Sequence, residues 1–187
     1  MTLSPFQSAV ARCARIRRGA YDRTISDALE QGLAGPSLRL TDIDAETLLA
    51  WKRTWRGTRA PGAGGWDWET LWKRFRRRPT ALQLAIWDGD ELCGLALGRV
   101  SRRRALGVRH TVSVHYMEAS PEPEHPLAGL IAALVIAAAE RYGEALGASR
   151  LRLMDPLPGL MGYYRKLGFT IALLPGRRVY FEKRIPQ

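Results

Sequence analysis

Close to the end of the chain, Tyr163-Tyr164-Arg165-Lys166-Leu167-Gly168-Phe169 brings two phenols, two cations and a glycine within seven positions. A phenol with its reference pKa of about 10 stays protonated at neutral pH and can donate. Upstream, His115 and Glu118 stand three positions apart near the end of an alternating segment. An imidazole titrates near neutrality unaided. A carboxylate takes a proton there only where its surroundings raise its pKa. A proton donor and a proton acceptor at one centre make general acid–base chemistry. Each residue also has a plainer use. A tyrosine at a helix end is often a half-buried aromatic with a solvated hydroxyl, and His115 and Glu118 can be ordinary polar residues at a strand end. Cys13 and Cys93 have no metal-ligand spacing with a partner and imply neither a metal site nor a disulfide framework.

The elements that must position these groups are legible from period and punctuation. Residues 1–35 read as a helical extension to a main domain over 36–187. Ser4-Pro5 starts its helix, and Phe6, Val10, Cys13 or Ala14, and Arg17 give it a weak stripe. Residues 37–40 read as a short strand. Thr41 and Asp44 suggest a capping box for a helix to about Arg56, with Leu48, Trp51 and Trp55 at helical spacing. A Gly- and Pro-rich loop over 59–65 precedes a second helix carrying Trp68, Leu71, Trp72 and Phe75. Residues 82–87 and 92–100 form a hairpin across Asp88-Gly89-Asp90. Residues 104–107 are a second connection, and a strand follows over 109–118. Its alternation sets Val112, Val114 and Tyr116 on one face and Thr111, Ser113 and His115 on the other, so His115 and Glu118 are expected on opposite faces. Residues 127–146 read as a buried helix, and Leu151 and Leu153 mark a strand. A helix carrying Tyr163 and Tyr164 follows, with Arg165 and Lys166 in its last turn and Gly168 as the left-handed stop. Strands over 169–174 and 179–185, joined by Pro175-Gly176-Arg177, complete the order.

Tyr164-x-Lys166-x-Gly168-Phe169, at this place in this order, resembles the Gcn5-related N-acetyltransferases (GNAT) across residues 37–185. The resemblance implies an α/β (α+β) fold with a mixed, mostly antiparallel central sheet flanked by helices. It implies an acetyl-CoA-dependent enzyme acting on an amine. Tyr164 would stand beside the coenzyme A sulfur as general acid, and backbone around Met117 to Ala119 would polarise the carbonyl. Glu118 and His115 are the nearest base candidates, although many family members use no dedicated base. Trp66, beside the glycine loop, is the candidate acceptor contact, where an aromatic wall could hold an aromatic or hydrophobic acceptor.

The cofactor loop keeps the family frame with changed letters. The family writes Val-x-Pro-x-x-Arg/Gln-x-x-Gly-x-Gly/Ala. Here Pro123 and Gly129 match, Pro126 falls on the Arg/Gln position and Ile131 on the second small residue. Glu122 and Glu124 add negative charge beside an expected diphosphate. Either Leu127, Ala128, Gly129 and Leu130 still offer backbone N–H groups at a helix start, with Lys166 among the nearby cations, or the acyl-CoA site has decayed and the fold binds a partner. Leu157 stands where the family keeps an Asn, and Asp155 is its possible substitute or a cap for the following turn.

The chain of 187 residues carries 29 basic and 18 acidic residues, a net charge of +11. Basic clusters at 15–18, 73–78 and 102–104 favour polyanionic partners, which keeps a nucleic-acid-associated protein as an alternative. An Arg-rich base composition with solvated helix faces explains the same excess. The acceptor is open among small molecules, peptides and RNA, and the chain is expected to be a monomer or homodimer. The longest apolar run is too short for a membrane span, and the first residues lack a signal-peptide core. Together with the cysteine count, this makes a cytoplasmic protein the expectation.

Overall fold

The computed structural model describes residues 4–59, 64–101, 110–156, 158–173 and 179–186. The basic cluster at 102–104, the connections at 104–107 and 175–177, residues 60–63 and Leu157 lie outside them. The elements run α1 (Pro5–Glu30), β1 (Leu38–Thr41), α2 (Ala45–Thr54), α3 (Trp68–Phe75), β2 (Ala81–Asp88), β3 (Glu91–Ser101) and β4 (His110–Ala119). There follow α4 (Ile131–Ala145), β5 (Ala148–Met154), a 3-10 turn (Pro158–Leu160), α5 (Met161–Lys166), β6 (Thr170–Leu173) and β7 (Val179–Arg184).

The seven strands form one sheet in the order β1-β2-β3-β4-β5-β7-β6. Every neighbouring pair is antiparallel except β4–β5, which is parallel. Both faces are covered, so the central strands are apolar on both sides. Leu82, Leu84, Ile86, Val112, Val114 and Leu151 pack with α1 and α4. Ala85, Trp87, Leu95 and Leu97 pack with Trp51, Trp55, Trp68, Leu71 and Phe75 of α2, α3 and the residues next to them.

Helix α1 docks on this body. Ser4 and Gln7 form a capping box at its start. Its buried stripe begins where the first turns end: Cys13, Arg17, Ala20, Tyr21, Thr24 and Ala28, while Phe6 is exposed. Arg17 is therefore no part of a basic surface. Its guanidinium is buried, pairs with Asp42 at 2.5 Å and donates to the Ala81 carbonyl at 2.9 Å. Tyr21 Oη donates to the Gln83 carbonyl at 2.7 Å.

Two local expectations change. Thr41 ends β1 instead of capping α2; Asp44 is the cap, accepting from the Thr47 N–H at 2.9 Å. Helix α4 begins at Ile131, not Leu127. Gly129 has φ +79°, a left-handed conformation that a right-handed helix cannot contain.

Candidate functional site

The pairing of β4 with β5 runs from His110↔Ala148 to Val114↔Leu153 and stops. Beyond it β4 continues beside β3 alone, with Leu97↔Tyr116 and Gly94↔Ala119. The two parallel strands part, and a cleft of about 480 Å³ opens between them. Val114 to Ala119 of β4 line it, with Leu153 to Pro156, Ile131 and Ala132 at the start of α4, Leu160, Tyr164, and Arg59, Gly64 and Trp66 from the α2–α3 loop. Of the expected site residues, Tyr164, His115, Glu118, Met117, Ala119 and Trp66 meet here; Leu127 to Leu130 and Lys166 do not line it.

Tyr164 is fixed by the end of its own helix. Gly168, at φ +83°, follows the α5 cap residue Leu167. Its N–H donates to the Arg165 carbonyl at 3.0 Å, and the Phe169 N–H donates to the Tyr164 carbonyl at 3.1 Å. This is the Schellman pattern, with its usual apolar contact supplied by the Tyr164 and Phe169 rings, 6.1 Å apart. Phe181 packs on the same ring at 5.8 Å. Tyr164 is buried. That burial, helped by the neighbouring Tyr163, pushes its pKa up to about 12, so the phenol keeps its proton throughout the neutral range.

On the other wall a β-bulge overturns the expected alternation. Leu97 pairs with Tyr116 and the next residue, Gly98, with Val114, so His115 is the extra residue. Such an insertion shifts the facing of everything beyond it. His115 and Tyr116 both stack against Phe75, at 5.7 and 6.0 Å. Tyr116 leaves the face of Val112 and Val114, and His115 and Glu118 share the α3 face. The Ser120 N–H donates to the Cys93 carbonyl at 2.8 Å. Alternate residues of a strand point their N–H groups to opposite sides, so those of Met117 and Ala119 point away from β3, into the opening.

Glu118 is the most heavily engaged group. Its side chain is 3% exposed and lies 3.3 Å from the Arg59 guanidinium. It accepts from the Gly65 N–H at 2.7 Å and the Trp68 indole N–H at 2.6 Å. Arg59 also donates to the Ala119 carbonyl at 2.7 Å. A Cβ on Gly64 would stand 2.9 Å from the carboxylate, so only glycine lets the loop approach. Trp66, partly buried, meets the Tyr116 ring edge-on at 5.6 Å.

No protein-family model matches the chain, and no curated protein does. Solved structures match at low identity. PaiA N-acetyltransferase from Thermoplasma acidophilum, in complex with coenzyme A, matches with a TM-score of 0.51 and 17% identity, covering 79% of this chain and 99% of that one. A GNAT-family protein from Desulfovibrio desulfuricans gives 0.58 and 15%, over 80% and 99%. The ribosomal-protein-S18-alanine N-acetyltransferase of Escherichia coli gives 0.56 and 15%, over 80% and 95%. The chain has the GNAT fold.

The turn before α4 places the segment expected to hold the cofactor. The Ala128 and Leu130 N–H groups are spent on the His125 and Leu127 carbonyls, at 2.9 and 3.0 Å. The helix start lies at Ile131, with Leu130 as a cap that makes no side-chain hydrogen bond. Ile131, Ala132 and Ala133 thus present N–H groups with no acceptor inside the helix. The Ile131 side chain is buried on the sheet over Gly94, where a Cβ would come within 2.8 Å of its Cγ2. Glu122 lines a separate hollow with Asp90, Glu91 and Trp55 and is not part of the cleft lining. Asp155 lines the cleft at φ +47°, a left-handed conformation that Asp tolerates better than most residues. Sequence reasoning missed Arg59 and Tyr116. Arg59 stood unremarked in a loop, and the bulge that redirects Tyr116 has no signature in the alternation. Among the described residues no group of three His, Cys, Asp or Glu could hold a metal, and no helix is long and apolar enough to cross a membrane.

Proposed function

We propose that the protein is an acyl-CoA-dependent N-acetyltransferase. The observation that carries this reading is the buried Tyr164 phenol in a cleft whose other sides are the parted edge of β4 and the uncapped start of α4. The cofactor fits the chain: an unclaimed helix N-terminus attracts phosphate, and Ile131 is turned onto the sheet instead of over that terminus. Ile131, Ala132 and Ala133 would hold the diphosphate through backbone N–H groups. This moves the contact a few residues on from Leu127 to Leu130. Lys166, exposed in the last turn of α5, is left as a contributor to the surrounding positive field.

Acetyl-CoA, when bound, supplies an acetyl group activated as a thioester; the acceptor nitrogen takes it as an amide and a thiol is released. The chain's residues supply the rest. The N–H groups of Met117 and Ala119, aimed into the opening, donate to oxygen on which negative charge develops. Tyr164 holds a proton at Oη for the departing sulfur. His115, on the same face as the acceptor wall, is the group suited to take the proton lost by the amine. Glu118 accepts from two N–H groups and pairs with Arg59, which suits holding a loop better than relaying protons.

The test is release of free thiol from acetyl-CoA, by wild type and Tyr164→Phe, across a panel of amines. Amine-dependent release that falls about 100-fold or more in the variant supports the reading. Equal rates in the two proteins would remove Tyr164 from the chemistry.

A further inference from the structure

We propose that the cleft accepts an amine carried on an aromatic or apolar body, and that Glu118 is a positioning residue that holds the aromatic wall. The acceptor class rests on the acetyltransferase reading above; the anchoring role of Glu118 does not. Three observations converge. The first is the lining. Trp66 and Tyr116 meet edge-on at 5.6 Å, and Met154, Leu153 and Leu160 complete an apolar surround. An aromatic pair offers a third ring both edge and face contacts. The second is the charge balance. Of the acidic side chains on the lining, Glu118 is matched by Arg59. Among the described residues of the lining, Asp155 is the acidic side chain left, exposed, to meet a cation. A chain with a net charge of +11 is a poor partner for a polycation, and one carboxylate answers one ammonium. An apolar surround also favours the uncharged amine, the form that attacks.

The third is the placement of the Glu118 contacts. Its carboxylate meets Arg59, the Gly65 N–H and the Trp68 indole N–H. These three points bracket Trp66 on both sides. Glu118 thus fixes the segment that carries the wall, and its own oxygens are used in doing so. Replacing it would disturb the acceptor of the buried Trp68 indole N–H and the hold on the Gly65 N–H and free Trp66 to move.

The experiment compares 2-phenylethylamine with spermidine as acceptors at saturating acetyl-CoA, for wild type, Trp66→Ala and Glu118→Gln, with tryptophan emission recorded for each. Expected is a kcat/KM for 2-phenylethylamine about tenfold or more above that for spermidine. Trp66→Ala should raise the KM for 2-phenylethylamine by about tenfold, the scale of one lost aromatic contact with its buried area, and leave the KM for acetyl-CoA unchanged. Glu118→Gln should raise the same KM, keep the shape of the kcat–pH profile, and shift tryptophan emission to the red as the loop loosens. Spermidine used as well as or better than 2-phenylethylamine overturns the acceptor class. Loss of the acidic limb of kcat in Glu118→Gln, with KM unchanged, makes Glu118 the base and overturns the anchor. Absence of acetyl-CoA binding and of transfer to either amine overturns the acetyltransferase reading and the acceptor class with it. In that event unchanged emission in Glu118→Gln overturns the anchor too, whereas a red shift supports the anchor alone.

Discussion

Tyr164 shows how a side chain becomes an acid by being dried. Its ring is packed by Phe169 and Phe181, and burial lifts the phenol pKa to about 12. Removing the hydroxyl keeps that packing, so Tyr164→Phe should cost under about 1 kcal/mol of stability by urea unfolding while kcat falls by two orders of magnitude or more. The same shift predicts that kcat keeps its proton donor up to at least pH 10. Deprotonation of this phenol would then produce no basic limb in a kcat–pH profile below that value. His125 titrates in the other direction. Burial lowers its pKa, against the opposing pull of Glu91 and Glu122. The unfolded chain then binds the proton more readily than the folded one below pH about 6.5, so folding stability drops as pH falls through that value. His125→Asn should flatten this dependence, measured as the urea midpoint between pH 7 and 5.

The elements bear the load of placing these groups. Gly168 closes α5 with both Schellman hydrogen bonds. Gly168→Ala should cost about 1–2 kcal/mol, the penalty for a Cβ in a left-handed conformation, and lower kcat as Tyr164 loses its fixed neighbour. Here the sequence is easy to read, because the stop, the basic last turn and the aromatic that follows are all local. The strands, the hairpin at Asp88-Gly89-Asp90 and the apolar α4 are readable for the same reason. The wall opposite is different. The His115 bulge depends on register against β3, a relation between distant segments that alternation along one strand cannot carry. Arg59 is unreadable in the same way: its partner Glu118 is about sixty residues away. The helix start at Ile131 was obscured because residues 127–130 are apolar, and the φ of Gly129 decides against them.

Across the whole molecule, α1 and α4 close one face of the sheet and α2 and α3 the other, and the cleft opens where β4 and β5 separate. The Arg17–Asp42 pair joins α1 to this body, with Arg17 buried and Asp42 partly exposed. Arg17→Ala should destabilise by about 2 kcal/mol through the lost charge-assisted hydrogen bonds, the one to the buried Ala81 carbonyl included, read from urea unfolding. The basic residues from Lys73 to Arg78 are exposed. If a polyanion meets the chain, its affinity should fall at least tenfold between about 50 and 200 mM salt. Whether the cleft receives the cofactor is tested by adding acetyl-CoA to the purified protein and following its unfolding temperature. A saturable rise is expected, with stabilisation of about 2.7 kcal/mol at a ligand concentration about 100 times Kd. No shift at millimolar acetyl-CoA would mean that the uncapped start of α4 does not receive the cofactor, and would contradict the acetyltransferase reading.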